Sequence, residues 1–316
     1  MEKYISVIGG INIDIKGVAN SDFKDSDSHQ GIIHFTPGGV ARNISENLAR
    51  LGVPVYLMGC VGTDSFGNLI LDETKKAGVN TDFVIRSETA ATAKYLSVSG
   101  KDGKFFNAVN DMKESTDLVN IDYIRNNIAL LEKSSMIVAD ANLNKSVLEE
   151  IISIANQSQV PILLDAVSSK KAIVLKQITA NVDFLSVNSN EFKIIFGKYK
   201  KTADILDKLF NGDFRNFKYI ILKKGSSGVN LIETKEELML SCKSLKNEVV
   251  EPNGAGDAFI AGFLFGMQNK FNLSESVRIG TCVSYYTLGT VKSVSDELDP
   301  KKVIKLFQEK SKLNEF

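Results

Sequence analysis

The order of apolar and polar positions predicts a chain in which strands alternate with helices. Apolar runs of strand length occur at residues 4–8, 55–61, 136–139, 161–165, 182–187 and 219–222. Apolar residues at helical spacing occupy residues 39–51, 65–76, 145–156, 189–196, 255–267, 273–288 and 300–309. Such alternation is typical of an α/β fold, in which a doubly wound, mostly parallel sheet carries helices on both faces.

Two segments interrupt this alternation and predict a second, smaller sheet. A polar insert at residues 13–35 separates the first strand from the first helix, and it ends in the strand-like piece Gly31-Ile32-Ile33-His34-Phe35. A second alternating patch spans residues 93–109, with the turn residues Lys101-Asp102-Gly103-Lys104 at its middle. We expect the two segments to pair as a β lid. Residues 1–316 would then form one domain, with lid insertions at about 13–36 and 93–110.

The composition and charge exclude several classes of protein. The 316 residues carry 38 Lys and Arg against 38 Asp and Glu, which argues against a nucleic-acid or anionic-membrane partner. No apolar stretch approaches the roughly 20 residues of a transmembrane helix. The first residues lack the basic start and long apolar run of a signal peptide, so we expect a cytoplasmic protein.

The cysteines and histidines narrow the chemistry further. Cys60, Cys242 and Cys282 are odd in number and widely spaced, which indicates buried thiols rather than disulfides or a zinc site. The two histidines, His29 and His34, leave little material for a histidine-based triad or metal centre.

The sharpest motif is Asn253-Gly254-Ala255-Gly256-Asp257-Ala258, which leads into an apolar helix. Glycines before a helix let backbone N–H groups converge, and the helix N-terminus adds positive potential, so this turn is suited to an anion. Asp257, in the first helical turn, could accept a proton from a hydroxyl beside that anion, as phosphoryl transfer to an alcohol requires. A tight turn followed by an ordinary helix-start acid has the same pattern, and the motif alone leaves both interpretations open.

Polar residues that suit a sugar follow the first strand and open the first helix. Asn12 and Asp14 come just after that strand, where open α/β sheets bind their ligands. Asp14 can accept two hydrogen bonds from a vicinal diol, and Asn12 or Asn43 can both donate and accept. Gly38 and Gly39 would let the sugar approach the backbone closely. An Asx turn followed by a capped helix is the alternative interpretation.

Two further sets of polar and glycine residues follow later strands, on the side where the ligand is expected. They are Asn188 and Glu191 after the run 182–187, and Lys223, Gly225, Ser226 and Gly228 after the run 219–222. Taken singly, the first set also fits a helix cap and the second a hairpin turn.

Together and in this order, the motifs resemble the ribokinase-like (PfkB) family of carbohydrate and nucleoside kinases over nearly the whole chain. The two signatures are the segment of Gly38, Gly39 and Asn43 and the segment 253–257. Within the family, residues 25–28, 35–44, 109–112 and 138–142 look most like pseudouridine kinases. Ribokinases look like Pro-Gly-Gly-Lys-Gly-Ala-Asn at the helix start. In this chain Val40 replaces that lysine, and Arg42 replaces the alanine before Asn43. We therefore expect a pocket that differs from a free-ribose pocket.

The resemblance implies phosphorylation of the 5′-hydroxyl of pseudouridine, with ATP and Mg²⁺ as cofactors. It implies that Asp257 is the general base and that the N–H groups of Gly254, Ala255 and Gly256 stabilise the negative charge that develops on the transferred phosphoryl group. The expected substrate-binding residues are Asn12, Asp14, Gly38, Gly39, Asn43 and, at the lid, Asn110 with Asp111 beside it. The expected ATP-binding residues are Asn188, Glu191, Lys223, Gly225, Ser226, Gly228 and Asn253. Glu191 is also the expected Mg²⁺ residue, acting through water.

Three departures from the family pattern bear on these roles. Ribokinase-like enzymes often have Asp where this chain has Glu251 and Thr where it has Asn253. These two differences leave open whether the protein uses a monovalent cation. Lys223 replaces a small hydroxyl residue and could pair with phosphate or face solvent.

The lid edges suggest pairing between two copies, so we expect a homodimer that binds a small-molecule substrate and ATP, without nucleic acid or membrane. A kinase of the same fold acting on ribose, inosine or a hexose is the first alternative. A non-catalytic sugar-binding protein is the second, and the intact Asp257 motif argues against it. A nicotinamide-dependent oxidoreductase would need a G-x-G-x-x-G after the first strand, which is absent.

Overall fold

The computed structural model describes residues 3–22, 27–101, 105–197, 216–247, 249–250 and 252–316. In chain order its strands are β1 Ile5–Ile8, β2 Asn12–Ala19, β3 Gly31–Gly38, β4 Val55–Gly62, β5 Val84–Ser87, β6 Ala93–Ser99, β7 Phe105–Asp111, β8 Met136–Asp140, β9 Ile162–Asp165, β10 Val182–Asn188, β11 Phe217–Lys223, β12 Val229–Glu233 and β13 Leu238–Cys242. Its α-helices are α1 Val40–Arg50, α2 Ser65–Lys76, α3 Lys113–Asp117, α4 Ile121–Asn126, α5 Ile128–Glu132, α6 Lys145–Gln157, α7 Ser189–Phe196, α8 Ala255–Gln268, α9 Leu273–Leu288 and α10 Pro300–Lys312.

A nine-stranded sheet lies at the centre, in the order β13-β12-β11-β10-β9-β8-β1-β4-β5. The seven neighbouring strands β11, β10, β9, β8, β1, β4 and β5 pair in parallel, whereas β12 and β13 add an antiparallel edge. Strands such as β1, β8 and β9 are buried along their whole length, as parallel strands covered on both faces must be. The predicted α/β class with a mostly parallel sheet is confirmed.

Helices cover both faces of the large sheet and form two apolar layers. One layer joins apolar residues of α1, α8, α9 and α10 to the sheet, and the other joins those of α4 to α7. The predicted buried thiols are confirmed, because Cys60, Cys242 and Cys282 are all free and buried. Among the described residues, no helix has the length and apolar character needed to cross a bilayer.

The second sheet has four strands in the order β3-β2-β6-β7. The two predicted β segments do not pair with each other directly. Strand β2 lies between them, antiparallel to β3 and parallel to β6. The sequence analysis places residues 13–19 in the polar insert, but backbone pairing on both sides makes them an internal strand of this sheet. A strand's hydrogen bonds come from the backbone, so polar side chains do not prevent it.

Three sequence-based expectations fall on residues outside the described part of the chain. They concern the turn residues Asp102, Gly103 and Lys104, the resembling pair Asp25 and Ser26, and Glu251 with its bearing on a monovalent cation.

Candidate active site

The carboxyl ends of β1 and β8 form a crevice where the strand order reverses. From β1 the chain moves outward to β4 and later returns to β8 on the other side. Asp140, at the end of β8, accepts hydrogen bonds from the N–H of Gly10 (2.8 Å), the N–H of Ala41 (3.2 Å) and the N–H of Asn142 (2.9 Å). This carboxylate thus joins the end of β1 to the start of α1. Open α/β sheets bind ligands at such a crevice.

Gly254 shapes the turn before α8. Its φ is +81°, and a Cβ there would lie 2.1 Å from the carbonyl oxygen of Ser293, so glycine is required both by conformation and by space. The turn leads into the N-terminus of α8, whose first N–H groups have no acceptor within the helix and carry its positive dipole end. The segment of Gly254, Ala255 and Gly256 therefore has the geometry of an anion cradle.

Asp257 lies in the first turn of α8 and meets Asn43 of α1. The side-chain Nδ2 of Asn43 donates to Asp257 Oδ2 at 2.9 Å, across 214 residues of chain. Burial of the carboxyl, together with the negative charge of Asp165, raises the pKa of Asp257 to about 7, although Asn43 and Lys223 act in the opposite direction. A carboxylate with a pKa near neutrality can accept a proton and later release it.

Lys223, at the end of β11, lies beside the cradle. Its Nζ donates to Asp165 Oδ2 at 3.0 Å and would be 3.2 Å from a Cβ on Gly256. Only 17% of the Lys223 side chain is exposed. Burial lowers the pKa of Lys223, but the carboxylates of Asp165, Glu191 and Asp257 outweigh this effect and raise it overall. The ammonium group therefore stays charged next to the cradle.

Asn188 and Glu191 form a capping box at the start of α7, one of the alternatives that the sequence left open. Asn188 Oδ1 accepts from the N–H groups of Asn190 and Glu191, while the Glu191 carboxylate accepts from the N–H and Nδ2 of Asn188 at 2.7 and 2.6 Å. Glu191 is 2% exposed. Burial and the charge of Asp165 raise its pKa.

The other predicted nucleotide-side residues lie at turns. Gly225 and Ser226 are exposed in the 3-10 turn that joins β11 to β12, and a Cβ on Gly225 would meet nothing within 4 Å. Gly228 is required by packing, since a Cβ there would lie 2.0 Å from the carbonyl oxygen of Cys242. Asn253 is exposed in the turn before α8.

The predicted sugar-binding residues gather at the junction of the two sheets. Asn12 Nδ2 donates to Asp14 Oδ1 at 2.7 Å. A Cβ on Gly38 would lie 2.5 Å from Asp14 Oδ2, and one on Gly39 (φ +100°) would lie 2.3 Å from the carbonyl oxygen of Gly10. Gly38 therefore lets β3 pack against the Asp14 carboxylate, and Gly39 lets the start of α1 pack against the backbone of Gly10.

Asn110 lies farther out, on the small sheet. The register aligns Asp14, Tyr95 and Asn110 in one row across β2, β6 and β7, so their side chains share a face. Asn110 is exposed, and its Nδ2 contacts Met112 Sδ at 3.3 Å. Asp111 pairs with Lys94 and therefore belongs to the opposite face.

Two buried acids of the site carried no predicted role. Asp140 and Asp165 end the apolar strands β8 and β9, and both influence the pKa of Asp257. Burial raises the pKa of Asp140 to about 6. Asp165 accepts from Lys223 and from Ser186 Oγ at 2.7 Å. The available sequence signal was a single acid that closes an apolar run, directly before the crevice edge of a parallel sheet.

Comparison with known proteins identifies the class. The pfkB family of carbohydrate kinases matches residues 2–297, so the chain belongs to this family. A solved carbohydrate kinase from Agrobacterium tumefaciens is 26% identical, with a TM-score of 0.81 and 97% of each chain covered. A ribokinase from Arabidopsis thaliana, solved with ribose and ATP, is 20% identical with a TM-score of 0.82, covering 98% of this chain and 99% of its own. The predicted ribokinase-like fold is confirmed.

A more specific similarity is to the pseudouridine kinase of Escherichia coli (strain K12). It is 30% identical over 312 residues, which cover 98% of each chain. The predicted family resemblance is therefore confirmed, and the protein is a ribokinase-like kinase of the sugar and nucleoside class. Kinases of this class bind a small-molecule substrate and ATP.

Proposed function

We propose that this kinase transfers the γ-phosphoryl group of ATP to the 5′-hydroxyl of pseudouridine, forming pseudouridine 5′-phosphate and ADP. The observation that carries the proposal is the contact of Asn43 with Asp257 beside the glycine cradle of α8. It joins the residues expected to bind the sugar to the residue expected to act as base. The similarity over nearly the full length of a pseudouridine kinase supports the choice of nucleoside.

In the proposed mechanism, Asp257 accepts the proton of the 5′-hydroxyl as that oxygen attacks the γ-phosphorus. The N–H groups of Gly254, Ala255 and Gly256, at the positive end of α8, stabilise the negative charge on the transferred group. The charged Lys223 lies beside the same cradle and adds a cation at the position of the phosphates. Because Asp165 already pairs with Lys223, the ammonium is oriented before ATP binds.

Mg²⁺ would screen the phosphate charges in this reaction. Each Glu191 oxygen accepts one hydrogen bond from Asn188 and keeps a second lone pair. A nearly buried carboxylate of this kind is suited to hold a water of hydrated Mg²⁺ rather than the ion itself. We therefore propose Glu191 as a Mg²⁺ residue through water. Asn188, Gly225, Ser226, Gly228 and Asn253 remain the proposed surroundings of ATP.

The ribose would be held at the junction of the two sheets. The Asp14 carboxylate, partly satisfied by Asn12, can accept from neighbouring ribose hydroxyls. Gly38 lets the Asp14 carboxylate lie against β3, and Gly39 lets the start of α1 pack on Gly10, so both glycines would help to position the sugar-binding groups. Asn110 shares the face of Asp14, so we propose that its amide contacts the base. Pseudouridine offers a second ring N–H that uridine lacks, and an amide oxygen can accept it.

We further propose that residues 1–316 act as one kinase domain, that the four-stranded sheet is its lid, and that two copies dimerise through the lid. One face of this sheet bears the apolar side chains of Ile33, Phe35, Leu96 and Val109, which we call the apolar lid face. Phe35 stacks on Phe66 of α2 with ring centroids 5.7 Å apart, while Ile33 and Val109 are each 63% exposed. Exposed apolar patches of this kind are typical of protein interfaces. The cytoplasmic location remains a prediction.

The experiment is to measure ADP release with Mg²⁺ and ATP in the presence of pseudouridine, uridine, inosine or ribose. We expect a strong preference for pseudouridine, with the product phosphorylated at the 5′-oxygen. Asp257→Asn serves as the control for contaminating kinases. Activity on ribose or inosine alone would favour the alternative kinase of the same fold and contradict the substrate assignment. Binding without ADP formation would favour a non-catalytic sugar-binding protein.

A further inference from the structure

Arg42 is a buried cation in the first turn of α1, next to Asn43. It is 4% exposed. Its Nη1 donates to the carbonyl oxygen of Pro37 at 3.0 Å and to Asn43 Oδ1 at 3.2 Å, and its Nη2 pairs with Glu46. Its Nε reaches Thr74 Oγ1 at 3.4 Å. The guanidinium group thus joins the end of β3, the side chain of Asn43 and helix α2.

This arrangement is unusual for the buried side of a helix. Burial lowers the pKa of Arg42, and the Glu46 carboxylate counteracts that effect. Glu46 also accepts from Arg50 Nε at 2.9 Å, and Arg50 reaches Asp296 at 3.0 Å. Replacing a buried ion pair with apolar side chains is often neutral or stabilising, so the fold alone does not require a charge here. The cation calls for a reason in the site itself.

The hydrogen-bonding chemistry of arginine provides that reason. A guanidinium group can only donate, so the Asn43 amide atom that faces Arg42 must be the oxygen. The amide nitrogen must then face the opposite way, where it donates to Asp257 Oδ2 at 2.9 Å. Without Arg42, the amide could turn its oxygen toward Asp257 and accept a hydrogen bond from the protonated carboxyl group. With Arg42 in place, the amide presents only its nitrogen, which favours the ionised carboxylate.

We propose that Arg42 is a positioning residue that acts through Asn43, holding the Asn43 amide so that its nitrogen donates to Asp257. The inference rests on the proposed function of Asp257 as the base. In this role Arg42 orients the Asn43 amide beside the base and does not itself contact the substrate. The planar fork matters as well as the charge, because it reaches Pro37, Asn43 and Glu46 together.

The consequence for Asp257 has a definite sign. The charged and polar groups that influence the carboxyl are Asp165 and Asp140, which raise its pKa, and Lys223 and Asn43, which lower it. Loss of the Asn43 bond removes one of the lowering contributions. A reversed amide accepts a hydrogen bond from the protonated carboxyl group, which favours the neutral acid. Loss of Arg42 should therefore raise the pKa of Asp257 further.

The test measures the pKa of Asp257 in the full chain, without substrate, from the NMR titration of ¹³C-labelled aspartate carboxyls assigned with Asp257→Asn. The main variant is Arg42→Met/Glu46→Gln, which removes both members of the buried pair and leaves no unpaired carboxylate. We expect the Asp257 pKa to rise by about one unit, as in Asn43→Ala, and the triple variant to show no further rise. Thr74→Val removes a hydrogen bond to Arg42 but none to Asn43, so it is expected to keep the wild-type value.

Two results would overturn the proposal. One is a wild-type Asp257 pKa in Arg42→Met/Glu46→Gln. The other is an undiminished shift when Arg42 is removed in the Asn43→Ala background, since Arg42 would then not act through Asn43. If the double variant fails to fold, Arg42→Lys keeps a cation beside Glu46 but loses the fork. A folded Arg42→Lys protein with an unchanged Asp257 pKa would equally contradict the proposal.

The pH dependence of kcat provides a second readout. The acidic limb should move to higher pH in the Arg42 variants by the same amount as the Asp257 pKa, which a merely structural role would not produce. The NMR titration requires no turnover. Failure of wild-type protein to phosphorylate pseudouridine would therefore overturn the proposed function, whereas an unchanged titration would overturn the role of Arg42 alone.

Discussion

The side chains in the crevice of the large sheet and those of the four-stranded sheet differ in burial and in the groups they contact. In the crevice, Asn43, Asp165 and Lys223 are largely buried, and each contacts other site groups. On the apolar lid face, Ile33, Leu96 and Val109 are 63, 43 and 63% exposed. The first region is completed by contacts within the chain, whereas the second presents apolar surface that a second molecule could cover.

We expect this difference to separate the residues that act in phosphoryl transfer from the residues that select the substrate. The groups that act on Asp257 come from the strands β8, β9 and β11 and from helix α1, so a change at one alters the electrostatics of the others. The small sheet is held mainly by backbone pairing, which tolerates changes of side chain on its exposed positions. We therefore expect large losses of turnover from the crevice, and changes of specificity or assembly from the small sheet.

The largest effect is expected from Asp257→Asn. The substitution keeps the shape of the side chain but removes its ability to accept the proton, so kcat should fall about 10³-fold or more while substrate binding is retained. Steady-state kinetics together with calorimetric binding of pseudouridine would measure both. Near-normal turnover would rule out Asp257 as the base.

Gly254→Ala should cost about 100-fold in kcat, because its Cβ would lie 2.1 Å from the carbonyl oxygen of Ser293 and displace the cradle. The matched control is Gly52→Ala. Gly52 has a similar φ of +77° but nothing within 4 Å of a Cβ, so it shares the conformational strain without the clash. Equal losses of kcat in the two variants would show that strain, rather than the position of the cradle, is responsible.

Asn110→Leu should change specificity more than rate. We expect the ratio of kcat/KM for pseudouridine to that for uridine to fall about tenfold, since one hydrogen bond to the base is lost. Turnover at saturating pseudouridine should change little. The comparison variant is Asp111→Leu on the opposite face of β7, which should leave the ratio unaltered. An unchanged ratio in Asn110→Leu would place base recognition elsewhere.

Charged substitutions at two neighbouring lid residues, Ile33 and Ile32, should affect dimer assembly differently. Ile33→Asp introduces a charge into the apolar lid face and should convert the expected dimer to a monomer, observed by light scattering. Ile32→Asp is the control, because Ile32 has a similar exposure but points to the opposite face of β3. A wild-type monomer, or a dimer that both variants leave intact, would contradict assembly through this face.

A smaller effect concerns stability and pH. The folded pKa of Asp257 is raised to about 7, above its unfolded value of about 3.9, so its contribution to stability is present below the unfolded value and is lost as pH rises through 7. Asp257→Asn should therefore unfold a few degrees higher than wild type at pH 8, with the difference shrinking toward pH 5. Calorimetry at both pH values measures it. A constant difference would argue against a raised pKa.

Much of the fold could be predicted from local patterns. The helices Ser65–Lys76, Ser189–Phe196 and Leu273–Leu288 have the predicted bounds, because each has apolar residues at helical spacing and an Asp or Asn cap directly before it. Strand β2 was missed although residues 13–16 alternate apolar and polar side chains, because this run is short, meets Gly17 and leads into a polar insert. Pairing with β3 and β6 makes it a strand. Residues 253–257 could be singled out for the same reason as the helices, since a glycine turn and a helix start are adjacent in the chain.

The sequence by itself therefore determined the α/β class, the family and the candidate base, all of which depend on short-range patterns. Only the tertiary structure decided that Asn43 contacts Asp257, that Lys223 pairs with Asp165, and that Arg42 donates to Asn43. The Asn43 and Lys223 contacts join residues 214 and 58 positions apart. Arg42 and Asn43 are neighbours, but their bond depends on the direction that burial gives the guanidinium. Hydrogen bonds and pKa shifts act through space at a few ångströms, and the order of residues along a chain does not specify those distances.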